Sequence, residues 1–154
     1  MTTSPEQLHE ILTYCVDFAK LMLNDSGEFY PFGAVIGAEG KLKAVGASDG
    51  NERPNPQDLY NLLGATFKAQ ATNGEIITVA MATNVNIPSA YESPYPDGIR
   101  VHLESNDYSR FVYFPYRLSK SGIFKKKINL AVSEPFSVAV PVSFFVQPPA
   151  AGGA

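Results

Sequence analysis

"EFYPFGAVIGAEGKLKAVGA", residues 28–47, decides how the rest of the chain is read. Phe32 to Ala38 is a run of small and branched residues of strand length. Glu39-Gly40 interrupts it with a residue free to take positive φ, and Leu42 to Ala47 returns. Two strand-length runs around a glycine turn make a β-hairpin. Gly33, near the start of the first run, marks a bend or a close backbone approach.

Upstream lies a helix. Ser4 can cap it, Pro5 suits its first position and Gln7 completes a capping box. Leu8, Ile11, Leu12, Cys15, Phe18, Ala19 and Met22 recur at three- and four-residue spacing, one apolar stripe that stops at Asn24–Gly27. Cys15 falls inside the stripe and reads as a small buried hydrophobe, not a nucleophile. Downstream, Ser48 to Pro56 is a loop dense in turn residues. A second helix follows, with Asn55 as cap, Pro56 in first position and Asp58 favouring the dipole. Leu59, Leu62, Leu63, Phe67 and Ala71 are its apolar face, and Asn73-Gly74 its stop.

Ile76 to Val85 is a continuous apolar run, as expected of a central strand covered on both faces. A proline-containing loop, Asn86 to Gly98, comes next. Ile99, Val101 and Leu103 then alternate with Arg100, His102 and Glu104, which predicts a half-exposed strand with a wet polar face. Asn106-Asp107 turns the chain, and Arg110 to Tyr116 returns as an aromatic strand closed by Pro115. Phe124 to Val132 reads as another strand or an edge segment, and its lysines suit a solvated edge. The prolines of Glu134 to Pro149 forbid a central strand or a long helix. Phe136 to Val146 is apolar enough to lie on the sheet as an irregular cover. The whole is a single α+β domain over residues 1–147, in the order helix, hairpin, helix, strands. Its sheet is mainly antiparallel with the helices packed on it, and a flexible tail spans 148–154.

At 154 residues one domain is expected. A net charge of −3 argues against a nucleic-acid partner, because phosphate backbones are repelled. A single cysteine excludes a disulfide framework and a Cys-rich metal site, and suits a reducing compartment. The polar N-terminus lacks the basic region of a signal peptide. No apolar run reaches the ~18 residues of a membrane span. The expectation is a soluble, cytoplasmic protein without a membrane partner.

"PFGAVI", Pro31 to Ile36, followed by a glycine turn and flanked by two helices, resembles the first hairpin of the cytidine deaminase-like family. That resemblance implies a zinc ion held by a His or Cys and a Pro-Cys-x-x-Cys pair, beside a glutamate that carries protons. The corresponding helix start here is "ERPNPQDL", Glu52 to Leu59, with no His or Cys, and no Cys follows Cys15. Zinc deamination is excluded on ligand count, and no metal or cofactor is expected. The longer pattern "GEFYPFGAVIGAEGKL" with "DGNERPNPQDL" and a later Pro115-Tyr116 resembles small bacterial proteins of unassigned function. That likeness implies no catalytic residues.

Other constellations are sparse. His9 and His102 sit on separate elements and read as surface histidines. Asp49, Glu52 and Asp58 lack the spacing of a calcium loop and read as loop polarity and capping. There is no nucleophile-base signature and no phosphate-binding glycine loop. The aromatics remain. Phe111 and Tyr113 share one face of their strand, Phe114 and Tyr116 the other. Tyr30, Phe32, Tyr91, Tyr95, Phe111 and Tyr113, with Asp49 and Glu52, form the candidate binding surface, since exposed tyrosines beside prolines suit protein contact. The alternative is that helices and the C-terminal segment cover both faces. The expected function is a non-catalytic protein-interaction domain of immunity or regulatory type. A small-molecule binder or metal-independent enzyme, using a cleft between hairpin and second helix near Asp49 and Glu52, is the alternative. A homodimeric structural domain paired along a sheet edge is the third reading.

Overall fold

The computed structural model describes residues 3–46, 50, 52–123 and 127–146. Two helices flank an antiparallel sheet: α1 (Pro5–Ser26), β1 (Phe32–Gly37), β2 (Leu42–Val45), α2 (Pro56–Thr72), β3 (Ile76–Asn86), β4 (Asp97–Ser105), β5 (Tyr108–Ser121), β6 (Lys127–Val132) and β7 (Phe136–Ala139). The strand order is β2-β1-β3-β4-β5-β6, with β7 also on β5. This is an α+β architecture with the helices packed on a mainly antiparallel sheet.

Local chemistry sets the helix ends. Ser4 and Gln7 form the reciprocal capping box, and Gly27 at φ 82° closes α1 by donating its N–H to the Leu23 carbonyl. Asn55 Oδ1 accepts from the N–H groups of Gln57 and Asp58 at the start of α2. The chain before α1 is tied down as well, because the Thr3 and Thr78 hydroxyls share a 2.7 Å hydrogen bond.

The helices take opposite faces of the sheet. On one face, Ile11, Cys15, Ala19 and Leu23 of α1 pack on Ala34, Ala80, Ala82, Ile99 and Val101. On the other, Leu63 and Phe67 of α2 pack on Val35, Val79 and Met81. The strand from Ile76 is therefore central and covered twice, as its unbroken apolar run requires. Two stripe residues fall outside the core: Phe18 and Leu62 are exposed. Phe18 stands at the edge of α1, its ring 5.0 Å from that of Phe32 in edge contact.

Three expectations are corrected. The strand carrying Arg100, His102 and Glu104 is not half-exposed: His102 is 3 % and Glu104 0 % accessible. Its polar face is roofed by α2 and the C-terminal segment, so His102 is not a surface histidine. Second, Pro115 does not close its strand, and β5 runs on to Ser121. A residue's N–H and C=O point to the same sheet edge. The Pro115 carbonyl accepts from the Ser133 N–H at 2.8 Å, so the missing donor faces the junction where β5 passes from β7 to β6. No ladder bond is lost there. Third, the C-terminal segment is not wholly irregular. Phe136–Ala139 pairs with Arg110–Tyr113, and beyond Pro141 the chain folds over so that Phe144 and Phe145 enter the α2-side core.

Candidate functional site

The α2 side of the sheet holds the chemistry. Period-2 alternation aims Arg100, His102 and Glu104 of β4 and Ser109, Phe111 and Tyr113 of β5 at this face, cross-strand neighbours in pairs. Glu104 is the deepest. Its Oε1 accepts from the Ser143 N–H at 2.7 Å, and its Oε2 from the Phe144 and Phe145 N–H groups at 2.7 and 2.8 Å. Ser109 Oγ and His102 Nε2 also reach Oε1, at 3.2 and 3.1 Å. Burial pushes the carboxyl up, but the bonds from His102 and from the three amides outweigh it and hold it below the ordinary glutamate value. The carboxylate pins the C-terminal strap to the sheet.

Ser109, His102 and Glu104 have the residue types of a hydrolytic triad, but not its geometry. A triad places serine and acid on opposite ring nitrogens, so that the acid orients the base that takes the serine proton. Here the Ser109 hydroxyl lies 3.3 Å from Nε2, the same nitrogen that faces Glu104. The three atoms close a triangle, and five donors saturate the carboxylate. No base is left to activate Ser109.

Two adjoining clefts open beside this cluster and share Tyr60 of α2. The first, about 260 Å³, lies between Pro31, the first turn of α2 and the β3–β4 strands, with Arg100 on its floor. The second, about 290 Å³, runs between α2 and the strap, lined among others by Lys68, His102 and Phe144. Neither lining includes a carboxylate among the described residues, although the chain as a whole is acidic.

Arg100 is held by π faces. Its guanidinium carbon sits 4.2 Å from the Phe111 ring centroid and 5.7 Å from that of Tyr60, and its Nη2 donates to the Tyr60 hydroxyl at 3.2 Å. Among the described residues no carboxylate stands within ion-pair distance of it. Its Nε–H is shielded from solvent and has no hydrogen-bond partner, and the Thr83 hydroxyl, directly across the β3–β4 ladder, is in the same state. An aromatic row continues from the cleft floor: His102 lies 5.0 Å from Phe111, and Tyr113 stacks on Phe136 at 5.1 Å.

The sequence-derived surface divides. Phe111, Tyr113 and Tyr91 come together, with Tyr91 5.6 Å from Tyr113, but Tyr113 is buried under β7. Phe32 is buried on the opposite face, and Tyr30 is exposed at the mouth of the hairpin. Tyr95 stands apart beneath the Arg117 guanidinium, 5.6 Å away. Glu52 is exposed in the loop before α2 and does not line either cleft, and Asp49 lies outside the described residues. The sequence points to a cleft between hairpin and second helix, but with carboxylates on its walls. The residues that it does not single out are Arg100, Thr83 and Tyr60. Arg100 is legible only as one polar member of an alternating strand.

Among the described residues no three His, Cys, Asp or Glu side chains cluster to hold a metal, and no helix is long and apolar enough to cross a membrane. No family model, curated protein or solved structure matches the chain.

Proposed function

We propose that this protein is a non-catalytic binding domain whose ligand docks in the paired clefts on the α2 side of the sheet. The observation that carries the reading is the state of the buried acid. Glu104 is the one carboxylate of the described core, and every lone pair it has serves structure. What remains facing the clefts is Arg100, Lys68, the Tyr60 hydroxyl, amides and His102, whose Nε2 is already engaged by Glu104 and Ser109, a set that recognises and orients a ligand. The strap supplies one wall through Ser143 and Phe144, so the site exists only in the fully folded chain.

A specific observation favours a small ligand, or the tip of a larger one, over a broad protein face. The aromatic strand offers little open ring surface, because Tyr113 is buried and Phe111 half-buried. Each cleft is near the lower end of ordinary small-molecule sites. The reading is tested by passing a small-molecule extract of the host over the pure protein and analysing what is retained by mass spectrometry. A compound held stoichiometrically and unchanged by the wild type, but not by Gly64→Trp, supports it. Gly64 lines the second cleft, and a Cβ placed there would meet nothing beyond its own helix nearer than Phe144 Cε1, at 4.0 Å, so the indole fills that space. Steady consumption of a compound by the protein would overturn it.

A further inference from the structure

We propose that the cleft over Arg100 is a carboxylate site, and that its ligand is a small organic acid with an apolar, planar body. The inference rests on the binding reading above and names the chemistry of the ligand. Its first support is the unbalanced cation. A half-buried guanidinium normally faces an acid, and here none stands within ion-pair distance among the described residues. Phe111 and Tyr60 hold its plane in place, so little side-chain freedom is lost when an oxyanion pairs with it.

The second support is independent. Arg100 Nε–H and the Thr83 hydroxyl are neighbours across the ladder, both dry and both without an acceptor. Buried donors in native proteins are seldom left unpaired, and both of these belong to residues that line the cleft, so they mark unused donor capacity at its edge. A carboxylate supplies four lone-pair positions in one plane, which matches the guanidinium edge.

The third support is the wall. Pro31, Pro56, Val85 and the Tyr60 ring make one half of the lining apolar or aromatic, and Gln57, Thr83, Asn84 and Arg100 make the other half polar. The apolar half suits a flat hydrocarbon body and the polar half its charged head, a division that a hydrated phosphate does not match. The neighbouring cleft adds Lys68 and no acid to the lining.

The probes are benzoate, its neutral isostere benzamide and inorganic phosphate, titrated calorimetrically into the full chain at neutral pH. Benzoate is expected to bind once per chain and benzamide at least about tenfold more weakly, as the loss of one charge-assisted hydrogen bond requires. Phosphate is expected to bind more weakly than benzoate. Arg100→Lys keeps the charge but loses the fork, and is expected to lose most of the benzoate affinity. Equal affinity for benzoate and benzamide, tighter phosphate than benzoate, no benzoate binding, or undiminished binding by Arg100→Lys would each overturn the proposal. If that variant does not fold, the wild-type ratio of benzoate to benzamide decides alone. A host compound retained by the wild type in the absence of benzoate binding would sink this inference and leave the binding reading standing.

Discussion

Replacing Glu104 by Gln tests how the strap is held. The substitution keeps size and shape but turns one acceptor oxygen into a donor. If the amide nitrogen takes the Oε2 position, the Phe144 and Phe145 N–H groups both lose their acceptor; if it takes Oε1, the Ser143 N–H loses its own and His102 Nε2 faces a donor. At least one backbone donor is then buried unpaired in either orientation, and the charge that strengthened the others is gone. A buried donor left unsatisfied costs about 1–3 kcal/mol, which puts the variant about 2–5 kcal/mol below the wild type. Urea unfolding at neutral pH measures the total, and amide exchange at Ser143 to Phe145 shows whether the strap opens locally first. The pH dependence has a definite sign. The folded carboxyl is held below its ordinary value, so its contribution is complete above the unfolded glutamate pKa of about 4.3 and is lost as pH falls through the lower folded value. The wild type should therefore lose stability in acid, and the Gln variant should lack that part of the slope. A loss under about 1 kcal/mol at neutral pH, with exchange at Phe144 and Phe145 unchanged, would show that the carboxylate does not hold the strap.

Three further outcomes are expected. A Cβ at Gly33 would stand 2.7 Å from Phe67 Cζ and 2.8 Å from the Ala80 carbonyl oxygen, so Gly33→Val should lower stability by about 1–3 kcal/mol in chemical denaturation, and an unchanged midpoint would show that the contact is soft. Cys15 is fully buried, and burial pushes its thiol up to about 12, so a thiol reagent should fail to label the native protein yet label it rapidly in denaturant. A chain ending at Ser133 loses the buried rings of Phe144 and Phe145, worth about 3 kcal/mol or more, and should melt lower and bind a hydrophobic dye; a truncated chain as stable as the full one would make the strap dispensable.

How far the sequence can be read depends on whether a signal is local. The capping box at Ser4, the Asn55-Pro56 helix start and the glycine turn are decided by neighbours within four residues, and they are where the sequence places them. The unbroken run from Ile76 marks a central strand for the same reason. The wetness of a face is not local. Arg100, His102 and Glu104 alternate as an exposed edge would, and only the strap, some forty residues later, makes that face an interior. Likewise Pro115 reads as a strand end because its neighbours cannot reveal that its missing donor falls at a junction between two partner strands. The clefts are not legible in this way either: the sequence points between the hairpin and α2, whereas the linings come mostly from α2, β3, β4 and the strap, and the Arg100 cation from β4.

Whether the working face is the α2 side of the sheet is tested directly by amide chemical shifts, followed during a benzoate titration of the isotope-labelled chain. Perturbations are expected to cluster at Gln57 to Lys68, Thr83 to Val85 and Arg100, around the cleft floor. Perturbations centred instead on the outer side of α1, near Phe18, Leu21 and Tyr30, or no perturbation at all, would contradict it.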